Sequence, residues 1–291
     1  MAAILLDGKS LAIKIRESVK IQAASLAGKG IIPCLAVVLV GDDSASLSYV
    51  KSKEKALAEA GMKSLDIRLA HDTSQDQLLS IISDLNNDNG VHGILVQSPV
   101  PSHISEEKVN AAISPDKDVD CFHPVSVGNM ILGKPGFLPC TPHGVLTLLR
   151  EYNVKISGAH AVIVGRSDIV GKPLANLLIR RDYNATVTIC HTGTKDLAFH
   201  TLQADILVAA AGKPQMITSG MVKEGAVVID VGINRVPCMT EKKGYRICGD
   251  VDPAVMQKCG YFTPVPGGVG PMTIAMLLQN VLEAAQQKTP C

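Results

Sequence analysis

The chain has 291 residues, 46% hydrophobic, 19% charged and 3% aromatic, and its 28 Lys and Arg nearly balance 27 Asp and Glu for a net charge of +1. That is apolar material for one large domain or two ordinary ones, with too little basic surface and too few rings for a nucleic-acid interface. No apolar run approaches the roughly 20 residues of a membrane span.

From the N-terminus, MAAILLDGKSLA has no basic segment before its short apolar run and Asp7 directly after it, which argues against a signal peptide. Helical spacing covers 9–28, 46–60 and 74–87, alternating with strand-like PCLAVVLVG (33–41), SLDIRLA (64–70) and GILVQ (93–97). The Pro/Gly-rich stretch GKPGFLPCTPHG (133–144) then marks a domain boundary. Beyond it, helices over 143–151 and 171–181 alternate with strands HAVIVG (160–165), ATVTICH (185–191), ADILVAAAG (204–212) and GAVVIDVG (225–232). A last helix, 271–287, is expected to cross back onto the first domain. Alternation of this kind predicts parallel α/β sheets, and strands apolar on both faces predict helices on both sides. The expected fold is therefore α/β, in two domains: 1–140 completed by 271–291, and 141–270. The eight cysteines form no CxxC pair and no His/Cys cluster has metal-ligand spacing. Buried thiols in a reducing, cytoplasmic setting and no metal site are expected.

Within SYVKSKEKALAEAG (48–61), a helix turning roughly 100° per residue gathers Tyr49, Val50, Ala56, Leu57 and Ala60 on one apolar arc. Lys51, Lys55, Glu54, Glu59 and Ser52 fall outside it, but Lys53 falls in its middle. One reading is a snorkelling lysine whose stem covers apolar surface; the other is a partly desolvated amine suited to proton transfer. Gln97 ends a strand before SPVP, as a satisfied buried amide or as a neutral group orienting that lysine. In SPDKDVDCFHP, Asp118 and Asp120 flank Val119 and would share a face in an extended chain; capping of a turn is the alternative.

VIVGRSDIVGKPLANLL reads as strand, glycine turn and helix, with Gly165 ending the strand, Gly171 opening the helix and Pro173 in its first turn. Such a turn either cradles a dinucleotide pyrophosphate or is an ordinary βα connection. The second strand ends in Cys190, His191 and Thr192 with no carboxylate for a ribose hydroxyl. Arg166 could instead meet a 2′-phosphate or serve a surface ion pair, which favours NADP over NAD. His191 could touch cofactor or simply cap its turn.

Taken together, VGDDSASLSYVKSKEKALAEAG, GILVQSPVPSHI, PDKDVDCFHP, PCTPHG, VIVGRSDIVGKPLANLL, TVTICHTGT, VIDVGIN and TPVPGGVGPMTIAMLLQN resemble, in order and nearly end to end, the bifunctional methylenetetrahydrofolate dehydrogenase/methenyltetrahydrofolate cyclohydrolases of one-carbon metabolism. The resemblance implies NADP-dependent oxidation of methylenetetrahydrofolate to the methenyl form, then hydrolysis to 10-formyltetrahydrofolate for purine biosynthesis. It also implies a homodimer, with no nucleic-acid or membrane partner. Position by position, Lys53 matches the catalytic lysine, Tyr49 the ring that stacks on the folate, Gln97 the lysine's hydrogen-bond partner and Asp120 the pterin ligand. Pro266 and Gly270 match a folate-lining loop. Thr141, Gly165, Arg166, Ser167, His191, Thr192 and Ile233 match the dinucleotide site. Cys121 stands where the family commonly has glycine, Ser98 and Val100 interrupt its usual QLPLP, and HTGT replaces HSxT. A monofunctional dehydrogenase of the same family is the alternative.

Overall fold

A computed structural model describes residues 3–239 and 244–287. The first half of the chain runs β1 (Ile4–Leu5), α1 (Gly8–Ala27), β2 (Cys34–Val40), α2 (Ser44–Glu59), β3 (Lys63–Leu69), α3 (Gln75–Asn87), β4 (Gly93–Val96), α4 (Glu106–Ala112), α5 (Pro124–Ile131) and α6 (Cys140–Glu151). The second runs β5 (His160–Val164), α7 (Gly171–Leu178), β6 (Thr186–Cys190), α8 (Leu197–Thr201), β7 (Ile206–Ala209), β8 (Val227–Asp230), β9 (Asn234–Pro237), β10 (Tyr245–Cys248), β11 (Tyr261–Phe262) and α9 (Val269–Gln287).

Two compact units result. One holds Thr141–Thr273 and the chain as far as Ala12; the other holds Ile13–Cys140 and the chain from Ile274. The first residues thus leave the N-terminal domain to which the sequence reading assigned them. The cause is β1, which pairs in parallel with β11, Ile4 opposite Tyr261 and Leu5 opposite Phe262.

The second unit is built on a three-stranded parallel sheet in the order β3-β2-β4. All seven residues of β2, CLAVVLV, are buried, as a central strand covered on both faces requires. Its Ala36, Val38 and Val40 pack with Leu78, Ile82 and Leu85 of α3 and with Val109 of α4. α3 opens on a capping box, Gln77 N–H donating to Ser74 Oγ (3.2 Å) and Ser74 N–H to Gln77 Oε1 (2.9 Å). Its far end is closed by Lys117, only 3% exposed, whose ammonium donates to the carbonyls of Leu85 (2.7 Å) and Asp88 (2.6 Å). A cation there meets both the bare carbonyls and the negative end of the helix dipole.

The first unit carries a six-stranded parallel sheet, order β1-β11-β8-β7-β5-β6, and a separate antiparallel hairpin of β9 and β10. The order reverses between β5 and β7, the switch point at which open α/β sheets bind ligands beyond the strands' carboxyl ends. All seven strands expected from sequence are present. β1, β9, β10, β11, α4, α5 and α8 were not expected. Of the seven described cysteines, six are buried; Cys291 lies outside the described residues.

Candidate active site

In α2, Val50 and Leu57 are fully buried and Ala56 and Ala60 are 2% exposed. Lys51 and Lys55 are exposed, whereas Lys53 between them is half-buried. Its Nζ donates to Gln97 Oε1 at 3.1 Å. Gln97 sits just past β4, its backbone N–H held by the carbonyl of Val38 in β2, and its own amide nitrogen donates to the carbonyl of Ser98 at 2.7 Å. The amide oxygen therefore has one orientation, toward the ammonium. Tyr49, on the same arc, is 44% exposed, so its ring is open rather than packed into the core.

Asp118 and Asp120 do not share a face. The chain turns here, and Cys121 adopts φ +60°. Asp118 accepts from the N–H groups of Phe122 (3.1 Å) and His123 (2.8 Å), capping the entry to α5. Asp120 instead accepts from the Cys140 thiol at 3.4 Å. Burial raises the Asp120 carboxyl above its ordinary value; the Lys53 ammonium and the thiol pull the other way, and Asp118 adds to the rise. Burial, with the Asp120 charge beside it, also pushes Cys140 well up, so it is a neutral donor. Asn280 of α9 ties the loop down, its amide donating to the carbonyls of Val119 (2.7 Å) and Leu138 (3.0 Å). Cys140 and Asn280 escaped the sequence reading. A polar residue on the apolar side of the 271–287 helix was the signal for the second.

In the other unit, Gly165 ends β5 and the turn to α7 is tight. A Cβ on Gly165 would overlap the Ala210 carbonyl after β7, and one on Gly171 would overlap the carbonyl of Gly165. Only glycine lets these backbones approach. Ser167 Oγ accepts from the N–H groups of Val170 (3.2 Å) and Gly171 (3.4 Å), taking on part of the capping of α7. Arg166 and Ser167 are exposed at the switch point, as is Thr192 past β6. His191 Nδ1 accepts from Gly193 N–H (3.1 Å) and its backbone N–H donates to Thr194 Oγ1 (2.8 Å), so it caps its turn. Ile233 is 47% exposed, and its Cδ1 lies 3.4 Å from where a Cβ on Gly270 would stand. Thr141 shares a hydrogen bond with Thr273 (2.9 Å), and Pro266 follows Val265 through a cis peptide. Exposed Arg166 beside a glycine turn, with no carboxylate at the end of β6, fits a dinucleotide bearing a 2′-phosphate.

Residues 6–120 match the tetrahydrofolate dehydrogenase/cyclohydrolase catalytic domain, and residues 139–289 its NAD(P)-binding domain. The chain belongs to the tetrahydrofolate dehydrogenase/cyclohydrolase family. It is 55% identical over 288 residues to the bifunctional protein FolD of Moorella thermoacetica, covering 99% of this chain and 100% of that one. The fold matches the FolD crystal structure from Campylobacter jejuni with a TM-score of 0.94 at 51% identity, over 99% of this chain and 100% of that one. It matches the Trypanosoma brucei enzyme, complexed with NADP and an inhibitor, with a TM-score of 0.95 at 36% identity over the whole of both. The left-handed backbone at Cys121 is one that glycine adopts without strain.

Proposed function

We propose that this chain is a bifunctional one-carbon folate enzyme: an NADP-dependent methylenetetrahydrofolate dehydrogenase and a methenyltetrahydrofolate cyclohydrolase, yielding 10-formyltetrahydrofolate. The observation that carries this reading is the Lys53–Gln97 pair at 3.1 Å, beside Asp120, in a member of a family with both domains. NADP, when bound, accepts the hydride lost from the folate's methylene carbon. Residues proposed to hold it are Thr141, Gly165, Arg166, Ser167, His191, Thr192 and Ile233. Tyr49, Asp120, Pro266 and Gly270 are proposed to hold the folate.

The oxidation needs no strong base on the protein, because the folate nitrogen stabilises the developing cation. Hydrolysis does need proton management: water adds to the methenyl carbon, and one C–N bond of the adduct then breaks. Lys53 takes up and returns the proton. Gln97, which can add no charge, keeps Lys53 Nζ in place. Asp120, as a carboxylate, accepts hydrogen bonds from the pterin.

Lys53→Met should abolish cyclohydrolase turnover by at least about a hundredfold, the lower end of general acid–base contributions, while folate binding persists. Near-normal turnover of purified K53M would overturn the assignment. A homodimer, a cytoplasmic location and a place in purine biosynthesis belong to the same proposal. None of the helices among the described residues is long and apolar enough to cross a membrane.

A further inference from the structure

Two buried carboxylates stand apart from the residues named so far. Asp230, the last residue of β8, is 1% exposed and Asp250, shortly after β10, is 0% exposed. Asp230 Oδ1 accepts from the N–H groups of Gly232 (3.0 Å) and Asp250 (2.9 Å), and its Oδ2 from that of Val251 (3.0 Å). Asp250 reaches further. Its Oδ2 accepts from the N–H groups of Ala211 (2.6 Å) and Gly212 (2.8 Å), and its Oδ1 from the side-chain amide of Asn234 (2.8 Å). Glycines make room for both: a Cβ on Gly249 would overlap the Asp230 carboxylate, and one on Gly232 that of Asp250.

Every group around Asp250 Oδ1 and Oδ2 in this set is a donor, and an ionised carboxylate is the side chain that only accepts. What it fastens is specific. Ala211 and Gly212 follow β7 on one side of the switch point, and Asn234 follows Ile233 past β8. The Ala210 carbonyl, one residue before Ala211, is the surface against which Gly165 packs. A single side chain thus sets the height of the β7 loop under the glycine turn and joins it to the Ile233 segment.

We propose that Asp250, itself held by Asp230, is a positioning residue for the dinucleotide site, fixing the 210–212 and 232–234 segments that wall the crevice beyond β7 and β8. The proposal rests on the NADP-dependent reading above. It is tested on the full-length wild type, D250A and D250N by measuring NADP-dependent dehydrogenation and methenyltetrahydrofolate hydrolysis separately.

D250A removes all three hydrogen bonds to the carboxylate and, with part of that loss reaching the cofactor, should raise KM for NADP about tenfold, with KM for methylenetetrahydrofolate nearly unchanged. Hydrolysis, which depends on Lys53 and Gln97 in the other unit, should stay near the wild-type rate and reports that the chain is folded. D250N should recover most of the NADP affinity. Its carboxamide oxygen can stay on the Ala211 and Gly212 amides while its NH2 meets an Asn234 amide turned end for end. Should D250A not fold, N234A removes one arm of the anchor and should raise KM for NADP two- to threefold. An unchanged KM for NADP, or a parallel loss of both activities, overturns the role of Asp250. A wild type that forms no NADPH overturns the functional reading instead.

Discussion

Cys121 places a side chain at φ +60°, a conformation that costs an L-residue roughly 1–2 kcal/mol relative to glycine. The thiol is only 1% exposed, so packing offsets part of that cost. Alanine would keep the backbone penalty and lose the thiol's contacts, whereas glycine would lose both. Cys121→Gly should therefore be more stable than Cys121→Ala by about 1 kcal/mol, against the usual order for a buried position. Urea unfolding of the two variants decides it; alanine at or above glycine would show that packing, not backbone, governs the site. The neighbouring pair of aspartates illustrates what residue patterns hide. Their i, i+2 spacing is compatible with one shared face, yet the turn at Cys121 sends Asp118 to an amide cap and Asp120 to a thiol.

At the scale of elements, α3 depends on its lysine cap. Lys117→Met keeps the apolar stem but leaves the Leu85 and Asp88 carbonyls without the ammonium. It should cost about 3 kcal/mol, the low end for two charge-assisted hydrogen bonds, seen as a lowered urea midpoint at unchanged slope; an unchanged midpoint would refute it. Most of the seven strands and the long helices were legible because they are either runs rich in β-branched residues ending near glycine or sustained helical periods. β1 and β11, two residues each, carry no period at all and exist only because they pair at the sheet's edge. α4, α5 and α8 are five to eight residues long, too short for an apolar stripe to stand out. Lys53 was legible for the opposite reason: in a helix of settled phase, one charge on the wrong side is conspicuous. Asp230, Asp250 and Lys117 were not, because nothing in a linear pattern tells a buried charge with amide or carbonyl partners from a solvated one.

For the whole molecule, two groups should oppose each other in its response to acid. Burial, reinforced by Arg150, lowers the pKa of His143 to about 4, and its Nδ1 is buried without a hydrogen-bond partner. The unfolded chain takes up that proton near pH 6.5, so the contribution of His143 is present above pH 6.5 and lost as pH falls toward 4. Burial raises Asp230 to about 6 despite three amide donors. The unfolded chain ionises near 3.8, so this contribution is present below 3.8 and lost as pH rises through 6. Between these limits the slopes cancel. His143→Leu should expose the second alone, with stability falling by about 2–3 kcal/mol from pH 4 to pH 6 relative to wild type; parallel curves for the two proteins would refute it. The amide of Asn280 has a consequence of another kind. It clamps the carbonyl of Val119, 161 residues earlier in the chain. At the roughly 5–20 residues per second of protein synthesis, the Asp120 loop is made about 8–30 s before the residue that clasps it.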